Sequence, residues 1–373
     1  EFNKAFNLSA QSKVEIETKW DLVKLGDVCH VLIGGTPSRA VHKYFNGENL
    51  WVSISEMQGN TIFDTKEKIT DEAIQNSNVK LIPKGTTLLS FKLSIGKTAI
   101  AGKDLYTNEA IAGLVPKNEN VIDTFLFHLF SAQLLNLDTG NNAIGKSLNS
   151  KFLREELKIP LPPLEVQKKI VQECEMVDKN VLEKIKNIED FNIQLKSLFD
   201  QSNTTAQEIK LKDALSLKAG KFIKASEIQD QFEDGLYPCY GGNNLRGYVD
   251  RFNHEGDYCL VGRQGALCGN VTYVQGKFYA TEHALVVTPL IEMSPKWLFY
   301  YLVKMNFNQY ATGVAQPGLS VSNLDNIVLN IPSLAEQEKI VEQIEALEAQ
   351  IAQAQKVIDD APAQKQAILQ KYL

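Results

Sequence analysis

The stretch Leu161-Pro162-Pro163-Leu164-Glu165-Val166-Gln167-Lys168-Lys169-Ile170-Val171 aligns without a gap on Ile331-Pro332-Ser333-Leu334-Ala335-Glu336-Gln337-Glu338-Lys339-Ile340-Val341. A proline that cannot continue a strand ladder, followed at once by apolar residues at helical spacing, reads as the entry into a long amphipathic helix. The chain holds two such entries, so it is an internal repeat of long period.

Working outward, Thr107-Asn108-Glu109-Ala110 matches Thr281-Glu282-His283-Ala284, each after a Gly-led apolar run, Gly85-Thr86-Thr87-Leu88-Leu89-Ser90 or Gly256-Asp257-Tyr258-Cys259-Leu260-Val261. Thr139-Gly140 and Thr312-Gly313 precede the two helix entries, and Lys24-Leu25-Gly26-Asp27 resembles Lys210-Leu211-Lys212-Asp213 at the two openings. Between these anchors, β-branched and aromatic runs broken by Gly, Asn and Pro predict short strands, as at 87–91, 271–274 and 284–288. Single helices are predicted at 125–135 and 295–305. Each repeat is therefore an α+β unit. The expected order is an N-terminal segment 1–19, a first domain 20–163, a central helix 164–205, a second domain 206–333 and a C-terminal helix 334–373.

In the second helix, Ile340, Ile344, Leu347, Ile351, Ala354, Ile358 and Ala361 alternate steps of four and three, which is a coiled-coil seam. The first repeats it through Ile170, Cys174, Val177, Val181, Ile185, Ile188, Asn192, Leu195 and Phe199, with Asn192 as a polar residue able to fix register. The fold class that follows is α+β, with two tandem small mixed α/β domains held by a long antiparallel two-helix coiled coil. Pro362 is expected to break the second helix, with Asp360 capping a short final one.

The 373 residues suffice for two cores, and no stretch approaches the ~20 apolar residues of a membrane span. Glu1-Phe2-Asn3-Lys4 has neither an initiating Met nor a signal-peptide pattern, as expected of a chain trimmed or excised from something longer. Five cysteines without a C-x-x-C pair predict neither a disulfide framework nor a zinc site, and read as reduced, mostly buried thiols of a cytoplasmic protein. The net charge is −6, of which the two helical stretches carry −5: six Lys against eight Asp/Glu over 164–202, and four against seven over 334–373. The domains are nearly neutral, which leaves room for a basic face on each.

Gly96-Lys97-Thr98 ends like a phosphate-binding loop, but Phe91 stands where that loop needs its first glycine. No Asn-Pro-Pro-aromatic, Gly-x-Ser-x-Gly or His-Glu-x-x-His occurs, so catalysis by this chain is not expected. What remains are polar, Gly-rich loops suited to bases and phosphates. The first domain offers Gly34-Gly35-Thr36-Pro37-Ser38-Arg39, Lys43, Lys92 and Lys97. The second offers Tyr240-Gly241-Gly242-Asn243-Asn244-Leu245-Arg246-Gly247-Tyr248, Arg251, Arg263, Gln264 and His283. Arg263 and Gln264 follow a predicted strand, where Arg grips guanine and Gln adenine. The loops before the helices add Lys146, Ser147, Asn149 and Lys151, and Gln316, Ser320 and Asn323. Ordinary turns and solvated connections are the competing reading for each.

The pattern resembles the DNA specificity subunits of type I restriction-modification systems. The residues carrying the resemblance are Gly34-Gly35-Thr36-Pro37-Ser38, Tyr44-Phe45-Asn46-Gly47, Trp51-Val52-Ser53 and the Pro-x-Leu-x-x-Gln entries ending at Gln167 and Gln337. The second domain replaces Trp-Val-Ser by Tyr237-Pro238-Cys239-Tyr240-Gly241-Gly242, which looks like another variant of these domains and implies a different half-site. The resemblance implies a bipartite double-stranded DNA target, one half per domain, with the helix pair as a ruler. It also implies adenine methyltransferase subunits and a restriction/translocase subunit as partners. S-adenosylmethionine, ATP and magnesium would be held by those partners, and no cofactor by this chain. Residues 1–19 resemble the segment that completes the distal helical region, or a junction to a fused methyltransferase. Two other readings stay open: the C-terminal specificity portion of a single-chain restriction-modification enzyme, and a scaffold that binds a peptide or sugar.

Overall fold

The computed structural model describes residues 18–132, 148–201, 206–265, 267–313 and 317–373. It divides into two units, Glu1–Ile185 with Gln355–Leu373, and Lys186–Ala354.

The first unit runs β1 (Leu22–Lys24), α1 (Leu25–Val28), β2 (Cys29–Ile33), β3 (Asn49–Val52), β4 (Thr61–Ile62), β5 (Glu67–Ile69), α2 (Asp71–Gln75), β6 (Thr87–Ser90), β7 (Thr98–Ala101), β8 (Tyr106–Thr107), β9 (Ile111–Pro116), α3 (Asp123–Ser131) and β10 (Lys158–Pro160) before the long α4 (Leu164–Gln201). One sheet has the order β2-β9-β6-β7-β4 and a smaller one β5-β3-β8, while β1 pairs with β10 and so ties the start of the domain to the strand entering α4.

The second unit contains β11 (Gln207–Lys210), α5 (Leu211–Ala214), β12 (Leu215–Ala219), β13 (Tyr237–Gly241), β14 (Asn244–Val249), β15 (His254–Glu255), β16 (Tyr258–Gly262), β17 (Val271–Val274), β18 (Lys277–Ala280), β19 (Ala284–Pro289), α6 (Pro295–Met305), β20 (Val328–Ile331) and the start of α7 (Leu334–Tyr372). Its sheets are β12-β19-β16-β17 and β14-β13-β18-β15, and β11 closes on β20 as β1 does on β10. The two openings that resemble each other in sequence become equivalent one-turn helices, whose Leu25 and Leu211 are both buried. The predicted strands and the α6 range agree with the structure; α3 starts two residues early, and 133–135 lie outside the described residues.

Each unit packs one end of the helix pair into its core. In the first, Ile170 and Cys174 of α4 share a cluster with Leu369 of α7, with Leu373 just past its end and with Phe125, Leu126 and Leu129 of α3. Glu173 meets Lys371 at 2.9 Å, and Asp178 meets Lys365. In the second, Leu195, Leu198 and Phe199 join Ile340, Val341 and Ile344 around Trp297, Leu298 and Leu302 of α6. Early residues of α4 thus face late residues of α7 and the reverse, as antiparallel packing requires.

Two helical expectations need correction. Pro362 does not break α7, which runs through it to Tyr372. A proline inside a helix removes one hydrogen bond and costs about 3 kcal/mol. Burial of Ala361, Leu369 and Leu373 on either side offsets that loss. In α4 the seam leaves the expected line: Ile185 is 41% exposed and Asn192 is exposed. Ile188 is half-buried as expected, while half-buried Lys184 and Phe191 stand in for Ile185 and Asn192, because an unbroken helix turns 3.6 residues per turn and drifts from a strict heptad.

The N-terminal expectation falls mostly on residues outside the described ones. Its last two residues clasp the end of α7: Thr18 Oγ1 and the Lys19 amide both donate to the Leu373 carbonyl at 2.8 Å. Trp20 Nε1 donates to the Tyr372 carbonyl at 2.8 Å. All five cysteines are free and buried, and burial pushes the Cys29 and Cys259 thiols up to about 12.

Candidate nucleic-acid interface

Within each domain a parallel strand pair brings the polar loops together. In the first, β3 runs parallel to β8, Val52 beside Thr107; in the second, β13 runs parallel to β18, Tyr240 beside Ala280. The Trp51-Val52-Ser53 segment and the Cys239-Tyr240-Gly241 segment therefore occupy the same strand of the two domains. The chain leaving β2 closes on these strands through Gly35 N–H to Thr107 O at 2.8 Å, and the chain leaving β12 does so through Lys221 N–H to Ala280 O at 2.9 Å. A Cβ on Gly34 would lie 2.2 Å from the Asn108 carbonyl oxygen and one on Gly220 2.1 Å from that of Ala280, so both positions need glycine for the close approach.

The counterpart of Gly34-Gly35 is Gly220-Lys221, and the segment 237–242 stands in the place of Trp51-Val52-Ser53 as expected. The Thr107–Ala110 match shifts by one residue. Phe91 N–H bonds Ala110 O, whereas Arg263 N–H bonds His283 O, so His283 stands where Ala110 does and Glu282 where Glu109 does. Short glycine motifs recur by chance, whereas ladder register fixes which side chains share a face.

The Arg263 and Gln264 expectation is the better placed. Leu148 N–H bonds Phe91 O and Leu319 N–H bonds Arg263 O, which sets Arg263 at the Phe91 position and Gln264 at that of Lys92. Asn244, Arg246, Gln264 and His283 line one open concavity of about 460 Å³ with Gly241 and Gly242. Asn244 sits in the left-handed region at φ 62°, a conformation tolerated best by Gly and Asn, and its side chain accepts from Thr272 Oγ1. The Glu282 carboxylate approaches His283 Nε2 at 3.2 Å.

In the first domain Thr36, Arg39, Lys92 and Glu109 gather. Thr36 Oγ1 donates to Glu109, and this bond, with Lys92 and Arg39 nearby, holds the Glu109 carboxyl below its ordinary range. Arg39 is already engaged: both terminal nitrogens reach Glu67, one at 2.8 Å, and its guanidinium lies 4.1 Å from the Phe45 ring centroid and 5.1 Å from that of Trp51. Lys43 pairs with Glu72 at 2.7 Å. Lys97 lies elsewhere, lining a concavity of about 550 Å³ with Asp178 and Lys365. Arg251 is likewise held, by Glu227 at 2.7 Å and Asp250 at 3.0 Å. Exposed Asn149 accepts from the Phe152 amide at 2.7 Å, and Lys151 pairs loosely with Glu155 at 3.8 Å. Exposed Ser320 and Asn323 begin and end a 3-10 turn. Lys146, Ser147 and Gln316 lie outside the described residues. Glu109 was not among the expected contact residues, although it stands in the repeated Thr-Asn-Glu-Ala segment.

Comparison with known proteins decides the family. The model of the type I restriction modification DNA specificity domain matches twice, over residues 17–190 and 203–360. The chain belongs to that family. Its relatives are named specificity subunits, and as a specificity subunit it is non-catalytic. The EcoprrI specificity subunit of Escherichia coli is 30% identical over 86% of this chain and 85% of its own length. The MjaIX specificity subunit of Methanocaldococcus jannaschii is 24% identical over 96% and 93%. A chain solved in work on assembly and conformational transition of a type I system superposes with a TM-score of 0.65 at 18% identity, covering 96% of this chain and 99% of that one. The specificity subunit from M. genitalium gives 0.53 at 16% identity, covering 97% and 98%. The last two likenesses bear on fold alone. Among the described residues, no helix of this specificity subunit is long and apolar enough to cross a membrane.

Proposed function

We propose that this specificity subunit reads a bipartite DNA duplex, the domain at 20–163 on one half-site and the domain at 206–333 on the other. The spacer helices at 164–205 and 334–373 set the gap between the half-sites. The observation that supports this reading is a duplicated scaffold with different side chains at equivalent positions after matching strands: Lys92 against Gln264, and buried Ala110 against His283 in the concavity. A scaffold kept constant while its polar tips vary suits two readers of different base sequences. Helices of 38 and 39 residues measure about 57 Å at 1.5 Å per residue, long enough to hold two half-sites a helical turn or more apart.

In this reading adenine methyltransferase subunits, and a restriction/translocase subunit where one exists, act at the site the chain selects, in the cytoplasm. S-adenosylmethionine, ATP and magnesium belong to those partners. The net −6 charge is tolerable because −5 of it lies on the two helical stretches, leaving the domains nearly neutral. The test is selection from a randomised duplex pool by the complex of this chain with its methyltransferase subunit. Two short conserved blocks with one fixed gap are expected, with affinity falling as salt rises. Retention without sequence preference or salt dependence would instead favour a protein-binding scaffold.

A further inference from the structure

We infer that Glu109 is a base-reading residue of the first domain, accepting a hydrogen bond from the exocyclic amino group of a cytosine in the major groove. This rests on the DNA reading above. Glu109 is exposed, in the turn two residues past β8, on the loop surface shared with Thr36, Arg39 and Lys92. A carboxylate there is a liability for any contact with phosphates, which it repels. Among the described residues no ion pair engages its charge: Arg39 pairs with Glu67, and Lys92 lies 5.4 Å from the Phe91 ring centroid, so both cations act on Glu109 only from a distance.

What the structure does supply is aim. The Thr36 hydroxyl donates to one carboxylate oxygen, and Thr36 itself is carried by a loop pinned through Gly34 N–H to Ile111 O at 3.1 Å and Gly35 N–H to Thr107 O. Trp51 Nε1 also donates to the Gly35 carbonyl at 3.0 Å, so the loop is fixed from both sides. The residue's own backbone N–H also bonds the carboxylate, and with about four acceptor sites on its two oxygens the group can still take a hydrogen bond from a further donor. An ionised carboxylate accepts and cannot donate, so guanine and thymine, which present acceptors, are repelled. Adenine presents its amino group beside the N7 acceptor. Cytosine presents an amino group with no acceptor of its own beside it in the groove, and is the base a carboxylate selects. The equivalent Glu282 is drawn to His283 and is not assigned this role.

The test uses the full chain with its methyltransferase subunit and a panel of duplexes in which each base pair of the first half-site is replaced in turn. Wild type should discriminate for cytosine at one position by about tenfold or more. Glu109→Gln, which adds a donor and can pair with adenine, should lose that discrimination there and admit adenine, leaving the other positions and the second half-site unchanged. Thr36→Val, which frees the carboxylate, should weaken the same preference only. An unchanged profile for Glu109→Gln would overturn the assignment. So would equal loss at every position of the first half-site, which would mark a loop-holding role. If wild type itself prefers no sequence, the DNA reading fails and this inference with it.

Discussion

Gln167 Oε1 accepts the backbone N–H of Ile122, the residue that caps α3, at 2.9 Å. Gln337 Oε1 does the same for Ser294, the cap of α6, at 2.8 Å. Each glutamine amide also donates to the proline carbonyl five residues back, Pro162 at 2.8 Å and Pro332 at 2.9 Å. Both side chains are essentially fully buried. The Pro-x-Leu-x-x-Gln repeat is therefore a fastening: it satisfies an orphan donor at the start of each domain's helix while fixing where the long helix leaves the domain.

Replacing Gln167 or Gln337 by Leu should strand these buried backbone groups, lowering stability by about 1–3 kcal/mol each. The two sites belong to different units, so the losses should add to within a few tenths of a kcal/mol in urea unfolding. A neutral Gln167→Leu would show that the fastening is dispensable.

His128 on α3 is buried, and desolvation, reinforced by Lys365 and opposed by Asp178, pushes its pKa down to about 4 from 6.5. Between these values the unfolded chain binds the proton and the folded chain does not, so stability falls as pH falls from 6.5 to 4 and is unaffected above. The loss is on the order of 3 kcal/mol at most. Urea titrations of wild type and His128→Phe should show the difference between them moving against wild type across that window. Parallel pH profiles would contradict it.

Arg39 and the Arg263–Gln264 pair should separate by readout. Arg39→Ala removes a half-exposed pairing with Glu67 and ring contacts with Phe45 and Trp51, costing about 1 kcal/mol or less in thermal unfolding. It should leave base preference unchanged. Arg263→Ala with Gln264→Ala should relax the half-site read by the second domain and leave the other intact. A specificity change for Arg39→Ala, or none for the double substitution, would reverse these assignments.

Much of this architecture was legible because its signals are local and chemical. The proline entry, the buried glutamine and the four-three apolar spacing each constrain the chain whatever surrounds them. Long-range competition decided the rest. Pro362 looked like a stop, but Ala361, Leu369 and Leu373 are buried on either side of it and keep the helix intact. Asn192 fitted an ideal heptad, yet Phe191 lies on the half-buried side. Gly34-Gly35 and Gly241-Gly242 read alike as letters, and only the strand register shows that they hold different places. Among the site residues, positive charge on a loop is what the sequence offers for Arg39, Lys43 and Arg251, and spacing gives no sign that each also pairs with a carboxylate of its own domain. The role proposed for Glu109 has no signal of its own in the sequence, since a basic footprint directs attention away from acids.

The most direct test of the central claim is adenine-methylation mapping of genomic DNA from cells expressing this chain with and without its methyltransferase subunit. The account predicts a new two-part motif with one fixed gap, present only when both proteins are present. An active methyltransferase that yields no such motif in the presence of this chain would contradict it.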